Sequence, residues 1–194
     1  SQRFTVGAVF WLTRTTLDNG AVVLIGEDHR LPIAAIAVAF RGGVRVETEQ
    51  TQGLSNLVSR MLTKGTKKRG ASAIAEQVEG LGGAIESFSG RDGFGVALQL
   101  LSEDVSVGIE LAHEVVPQAT FPNEELEIQR ELILKELRAQ QDEIFDVGSD
   151  VFRRTLFTSH PYRFHPLGTA ESLNGFSRSD CREFSARWMI PSDM

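Results

Sequence analysis

Three polar residues on one predicted helix have the spacing of a zinc site but not its residue types. Asn56, Ser59 and Arg60 lie in the stretch GLSNLVSRMLTKGT, at positions i, i+3 and i+4, and therefore share one face of a helix. Two imidazoles at i and i+4 can bind zinc, and a carboxylate beside the second can act as a general base. This chain instead offers an amide, a hydroxyl and a guanidinium.

These three side chains are poorly suited to metal-assisted hydrolysis. An amide is a poor ligand for zinc, and Arg60 stays protonated and repels a cation. Ser59 cannot replace a carboxylate as base without a partner that activates it. Periodicity alone therefore predicts a solvated polar face on an amphipathic helix, with an apolar stripe formed by Leu54, Leu57, Val58, Met61 and Leu62.

The other candidate sites have weaker patterns. His160 and His165 each precede a proline in one loop, and no third ligand lies nearby, which favours a loop-shaping or solvent-exposed role. Glycines at 90, 93 and 95 lie between two predicted strands, whereas a dinucleotide site joins a strand to a helix. The single cysteine, Cys181, excludes an internal disulfide and a cysteine-rich zinc module.

Composition limits the classes of function. The 194 residues carry a net charge of −6, which argues against non-specific binding to nucleic acid. We expect no transmembrane segment, because no apolar run reaches about 18 residues. The N-terminus shows no signal-peptide pattern.

The elements that must position these residues follow from local patterns. Asn19-Gly20 predicts a hairpin turn, and strands are expected at 33–40, 84–89 and 94–101, the first of them buried. Helical periodicity and end signals predict helices at 52–63, 72–81, 103–116, 123–141, 144–157, 169–174 and 177–187. Asn123 is the expected cap of the helix at 123–141. The order of elements predicts an α+β fold, a two-layer arrangement of a mixed or antiparallel sheet against several helices.

The stretch at 53–66 resembles the zinc-site helix of the insulinase/pitrilysin family, which includes the mitochondrial processing peptidases. That family typically reads GLAHFLEHMLFKGT and carries the inverted motif H-x-x-E-H. The segments TTLDNGAVVLIGEDHRLPIAAIAVAFRGGVRVE, ELILKEL, SHPYRFHPLGTAESL and WMIPSDM are similar to other parts of the same domain. The resemblance covers roughly residues 13–194.

The resemblance implies where the ligands would stand. Asn56 and Arg60 occupy the places of the two zinc-binding histidines, and Ser59 occupies that of the catalytic glutamate. Glu136, 76 residues beyond Arg60, is the one surviving ligand position, and Gln129 replaces a second acidic residue that the family often has. We therefore expect no catalytic residue and no bound zinc. We further expect Arg60 to reach Glu136 and form an ion pair in the space of the lost cation.

The family also suggests what such a chain is for. Some members pair a zinc-bearing subunit with one that lacks zinc, and the two halves enclose a chamber that holds an unfolded peptide; others serve as scaffold in respiratory complexes. The expected function is thus a non-catalytic partner or a substrate-binding chamber subunit, in complex with an active family subunit or as a homo-oligomer. Two alternatives remain open: a zinc-dependent endopeptidase with an atypical site built from Glu136 and a loop histidine such as His165, or an assembly scaffold.

The organisation expected from the resemblance is a short N-terminal extension at 1–12 and a single peptidase-family domain at 13–194. The family would continue into a closing strand and a second domain, so the domain is expected to stop before its last strand. The compartment is undetermined, with the bacterial cytoplasm and periplasm both open.

Overall fold

Two three-stranded antiparallel sheets and seven α-helices form the computed structural model of the chain, which describes residues 2–6 and 10–194, with side chains from residue 12 onward. The first sheet has the order β1 (Gln2–Val6), β2 (Phe10–Thr16), β3 (Val22–Gly26), and β2 and β3 flank the predicted turn at Asn19-Gly20. The second sheet has the order β4 (Ile33–Arg41), β6 (Gly93–Leu101), β5 (Ala84–Ser89).

The helices lie close to their predicted positions. They are α1 (Leu54–Met61), α2 (Ala71–Gly80), α3 (Val105–Val115), α4 (Asn123–Gln141), α5 (Ile144–Leu156), α6 (Ala170–Gly175) and α7 (Arg178–Trp188). The mixed α+β character is confirmed, because helices and antiparallel strands occupy separate stretches of the chain.

One hydrophobic core joins the second sheet to the helices. Helix α1 contributes Leu57, Val58 and Met61, which are fully buried, and it packs against α4, α7 and strand β5. Phe94 of β6 reaches the same core and lies 5.3 Å, between ring centroids, from Phe184 of α7. The central place of α1 fixes the backbone that carries the three polar residues of interest.

Two local predictions were wrong. Strand β4 is not buried on both faces: Ala35, Ala37 and Ala39 are exposed, because helices cover only one face of this sheet among the described residues. Asn123 does not cap α4, because it is already the first helical residue and Pro122 holds the cap position without a side-chain hydrogen bond.

Two further observations concern the N-terminal residues and the apolar character of the helices. Residues 2–6 of the expected extension form β1, which pairs with β2 from Gln2 opposite Arg14 to Val6 opposite Phe10. Within the described residues, no helix combines the length and apolar character that crossing a bilayer would require.

Candidate functional site

A buried carboxylate holds the start of α1 in place. Both oxygens of Glu47 accept hydrogen bonds from the backbone N–H groups of Gly53 and Ser55, each at 2.9 Å, and the Ser55 hydroxyl donates to the same group. Two N–H groups that a helix start leaves free are thereby satisfied. Desolvation raises the pKa of Glu47 above its ordinary value, against the opposing effect of these hydrogen bonds.

A pair of glycines anchors the same end of the helix. Gly53 has a left-handed backbone with φ of 88°, and a Cβ at this position would lie 2.6 Å from the carbonyl oxygen of Leu167. Gly168 faces it, also with positive φ, at 79°. This close approach, which only glycine permits at both positions, ties α1 to the loop before α6.

The polar face of α1 is not solvated, so the prediction from periodicity was wrong. Asn56 is buried and Ser59 is almost completely inaccessible. The Ser59 hydroxyl donates to the backbone carbonyl of Asn56 at 2.8 Å, which is the back-bonding usual for a serine inside a helix. The hydroxyl is therefore engaged and buried, and it has no basic side chain to activate it among its hydrogen-bond partners.

Arg60 bridges α1 and α4 with its whole guanidinium group. Its Nη1 and Nη2 donate to Oε1 and Oε2 of Glu136 at 2.8 and 2.7 Å, a bidentate arrangement. Its Nε donates to Oδ1 of Asn56 at 3.0 Å, one helical turn earlier on α1. The structure thus brings together three of the four positions singled out from the sequence, and Arg60 lies at their centre.

The packing of α4 on α1 sets this geometry. Ile133 of α4 is fully buried in the core, which turns Glu136 toward α1, while Gln129 is buried one heptad before it on the same helix. The hydrogen bonds from Arg60 hold the pKa of the Glu136 carboxyl below its ordinary value, and partial burial opposes them. Glu136 is therefore a carboxylate at neutral pH, paired with a permanent cation.

The residues at this site do not fit a zinc ion. A tetrahedral zinc site needs nitrogen, sulfur or carboxylate donors, and here a guanidinium and an amide stand in two of the positions. Both oxygens of Glu136 are occupied by Arg60. Within the part of the chain that the structure describes, no three His, Cys, Asp or Glu side chains lie close enough to hold a metal.

The loop histidines lie elsewhere. His165 lines a cavity of about 450 Å³ between α4 and α5, and Glu136 is not among the residues that line it. Burial, followed by the charge of Arg153, lowers the pKa of His165, and its Nδ1 accepts from the backbone N–H of Leu167 at 3.1 Å. His160 Nδ1 accepts from the N–H of Tyr162. Both histidines thus shape their loop, as predicted.

Sequence reasoning missed one contributor to the site and misjudged the role of another. Glu47 lies six residues before Gly53, outside the helix, and nothing in its local pattern marks it as the group that satisfies the helix start. From the sequence alone, Asn56 is considered only as a residue that replaces a metal ligand. An asparagine and an arginine four residues apart on one helix face can also form a hydrogen bond, and this spacing is recognisable in the sequence.

Comparison with known proteins identifies relatives of the chain. The sequence profile of the insulinase family (peptidase family M16) matches residues 22–170. Subunit 1 of the mitochondrial cytochrome b-c1 complex of Bos taurus is 29% identical over 171 residues, which are 88% of this chain and 35% of that protein. An uncharacterized zinc protease of Mycobacterium leprae is 26% identical over 181 residues, 93% of this chain and 41% of that protein.

Solved structures share the fold. A protease from Helicobacter pylori superposes with a TM-score of 0.87 at 19% identity, over 94% of this chain and 44% of that one. A peptidase M16 inactive domain from Pseudomonas fluorescens has a TM-score of 0.84 at 25% identity, over 90% of this chain and 43% of that one. The chain spans less than half the length of each of these relatives. With the profile covering most of its residues, the chain belongs to the insulinase family of peptidases, family M16.

Proposed function

We propose that this domain is a non-catalytic member of its family, and that it acts as the zinc-free partner of a zinc-bearing family subunit. The observation that carries the proposal is the position of Arg60, whose guanidinium donates to both oxygens of Glu136 and to Asn56. A fixed positive charge then stands in for the metal and keeps α1 and α4 together. The residues at these positions supply neither the ligands for a metal-bound water nor a general base for hydrolysis.

The proposed partner role draws support from an edge of the second sheet. Strand β5 pairs only with β6 among the described strands, so its other side offers backbone donors and acceptors to an added strand. The same strand packs against α1, the helix that carries Arg60. An extended peptide bound there would lie beside the inactive centre without being cleaved.

A second candidate function is a purely architectural subunit. The similarity to subunit 1 of the cytochrome b-c1 complex favours it, since that relative is by name part of a larger assembly. The two candidates differ in one measurable respect: a peptide-holding partner changes the activity of its zinc-bearing companion, whereas a pure scaffold changes only assembly.

Zinc binding tests the inactive assignment. The purified chain is titrated with zinc by calorimetry, beside the triple variant Asn56→His, Ser59→Glu, Arg60→His, which restores the donor set and keeps Glu136. We expect no stoichiometric zinc in the original chain and about one ion per chain in the variant. Stoichiometric zinc in the original chain, or peptide cleavage that a chelator abolishes, would refute the proposal.

Reconstitution tests the partner role. The chain is mixed with a family member that carries an intact H-x-x-E-H motif, and cleavage of an unfolded basic peptide is followed. We expect a stable complex whose activity falls when this chain is withheld. A complex with unchanged activity supports the architectural candidate, and the absence of any complex contradicts both.

A further inference from the structure

Between Ile133 and Gly168 no residue of the chain is buried. This stretch holds the end of α4, all of α5 and the loop that leads to α6. Helix α5 turns large apolar side chains to the surface, with Ile144 80% exposed and Phe145 85% exposed. Local opening costs least where few apolar side chains are buried. We therefore expect residues 144–167, which we call the α5 segment, to open at a lower free-energy cost than the core.

His165 lies where the α5 segment joins the rest of the domain. It is half-buried and lines the cavity of about 450 Å³ between α4 and α5. Its Nδ1 accepts a hydrogen bond from the backbone N–H of Leu167 at 3.1 Å, and its backbone carbonyl accepts one from Gly168 at 2.8 Å. Gly168 is the residue that packs against Gly53 at the start of α1. The imidazole thus fixes the turn through which the α5 segment reaches the anchored part of the domain.

The hydrogen bond to Leu167 requires a neutral imidazole. An Nδ1 that accepts from an N–H group carries no proton, so the neutral ring of His165 bears its hydrogen on Nε2. On protonation Nδ1 becomes a donor that faces another donor, and the bond is lost. A positive charge also enters a partly buried place, where desolvation disfavours it.

The charged neighbours of His165 do not offset this cost. Those that line the same cavity are Arg138 on α4 and Asp146, Asp150 and Arg154 on α5, whereas α6 and the loop before it add only uncharged neighbours to the described wall. Asp150 is already shared by two cations, Arg153 and Arg154, each at 2.7 Å. Burial, followed by the charge of Arg153, accordingly lowers the pKa of His165, and the two carboxylates oppose this only in part.

We propose that His165 makes the α5 segment sensitive to acid: the neutral ring keeps the segment closed against α4, and protonation opens it together with the cavity while the core stays folded. A base whose pKa is lower in the closed form stabilises that form above its ordinary pKa, about 6.5. This stabilisation is lost as pH falls from there toward the lower pKa of the closed form. A single proton can raise the ratio of open to closed molecules at most about 30-fold between pH 8 and pH 5.

Hydrogen exchange followed by mass spectrometry at pH 8 and pH 5 tests the proposal. Protection factors divide out the intrinsic pH dependence of exchange, so they report the ratio of open to closed molecules. We expect the protection of the α5 segment to fall by about threefold or more, up to the limit of about 30-fold, from pH 8 to pH 5. Helix α1 and strand β6 should show no comparable fall.

Two asparagine variants identify the responsible group. His165→Asn keeps an acceptor near the position of Nδ1 and cannot take up a proton in this range, so we expect equal protection of the α5 segment at pH 8 and pH 5. His160→Asn is the matched control, because His160 lies in the same loop and its Nδ1 likewise accepts from a backbone N–H, that of Tyr162, but its side chain is exposed. It should leave the acid response intact.

The outcomes that contradict the proposal are distinct. Equal protection of the α5 segment at pH 8 and pH 5 in the original chain overturns it, and so does a fall of the same size in His165→Asn. A response that only His160→Asn removes, or one in which α1 loses protection in parallel, overturns it as well. NMR titration of the His165 ring in the original chain gives a measurement that needs no stable variant: a pKa at or above about 6.5 refutes the proposal.

Discussion

Breaking the Arg60–Glu136 pair should destabilise the domain by an amount that a double-mutant cycle can measure. The variants are Arg60→Met, which keeps the length of the side chain, Glu136→Gln, which keeps its shape, and the double variant. The cycle isolates the pair from the other contacts of each side chain, including the hydrogen bond from Arg60 to Asn56.

The structure sets the size of the effect. Hydrogen bonds to charged groups contribute about 1.5–3 kcal/mol, and the pair here is bidentate. The Glu136 side chain is 45% exposed and the Arg60 side chain is 22% exposed. Solvent screening therefore reduces the interaction free energy of the pair toward the range of about 0.2–1 kcal/mol seen for surface pairs. We expect a coupling free energy of about 1 kcal/mol. Glu136→Gln should cost more than Arg60→Met, because it leaves the more buried partner charged and alone.

The pair should also be visible in the pH dependence of stability. Hydrogen bonds from Arg60 lower the pKa of Glu136 in the folded domain. The contribution of ionised Glu136 to the free energy of unfolding is therefore complete above the pKa of the unfolded chain, about 4.3. It is lost as pH falls through the lower pKa of the folded domain. Urea unfolding, followed by circular dichroism at pH 7 and at pH 3, measures the coupling free energy at each pH. A coupling indistinguishable from zero at pH 7, or one of equal size at pH 3, would refute the reasoning.

Three further outcomes follow from the structure. Glu47→Gln should cost about 1–3 kcal/mol of unfolding free energy by urea titration, because an amide NH₂ would face backbone donors at the start of α1; Ser55→Ala, which removes one of three bonds, should cost less. Gly53→Ala should cost at least about 2 kcal/mol, since it forces alanine into a left-handed backbone against Leu167, and a melting temperature equal to the original would contradict this. Burial raises the pKa of Cys181 to about 12, so roughly 10⁻⁴ of it is thiolate at pH 8; a thiol reagent should label it only after unfolding, and rapid labelling of the native domain would disprove its burial.

The sequence by itself determined the positions of the main elements. Helix periodicity and turn residues are local signals, and the predicted ranges of α1, α4 and the β5–β6 hairpin agree with the structure within a few residues. The sequence also determined which donor atoms are absent. An amide and a guanidinium cannot become imidazoles, whatever the fold, so the residue types alone reveal the departure from H-x-x-E-H.

Burial could not be inferred in the same way. The apolar run at 33–40 predicted a strand buried on both faces, yet half of β4 is exposed because, in the part of the chain that the structure describes, helices cover one face of its sheet. The polar face of α1 was expected in solvent and lies in the interior instead. Which side of an element is covered depends on neighbours that are distant in sequence.

Only the tertiary structure decided the arrangement of the site. Arg60 and Glu136 are 76 residues apart, and they meet because the buried stripes of α1 and α4 pack against each other and aim both side chains into the same gap. The outward apolar side of α5 is likewise invisible in its periodicity, since the pattern gives the amphipathic character of a helix and not the direction in which it points. Such long-range placement results from core packing, which no local pattern encodes.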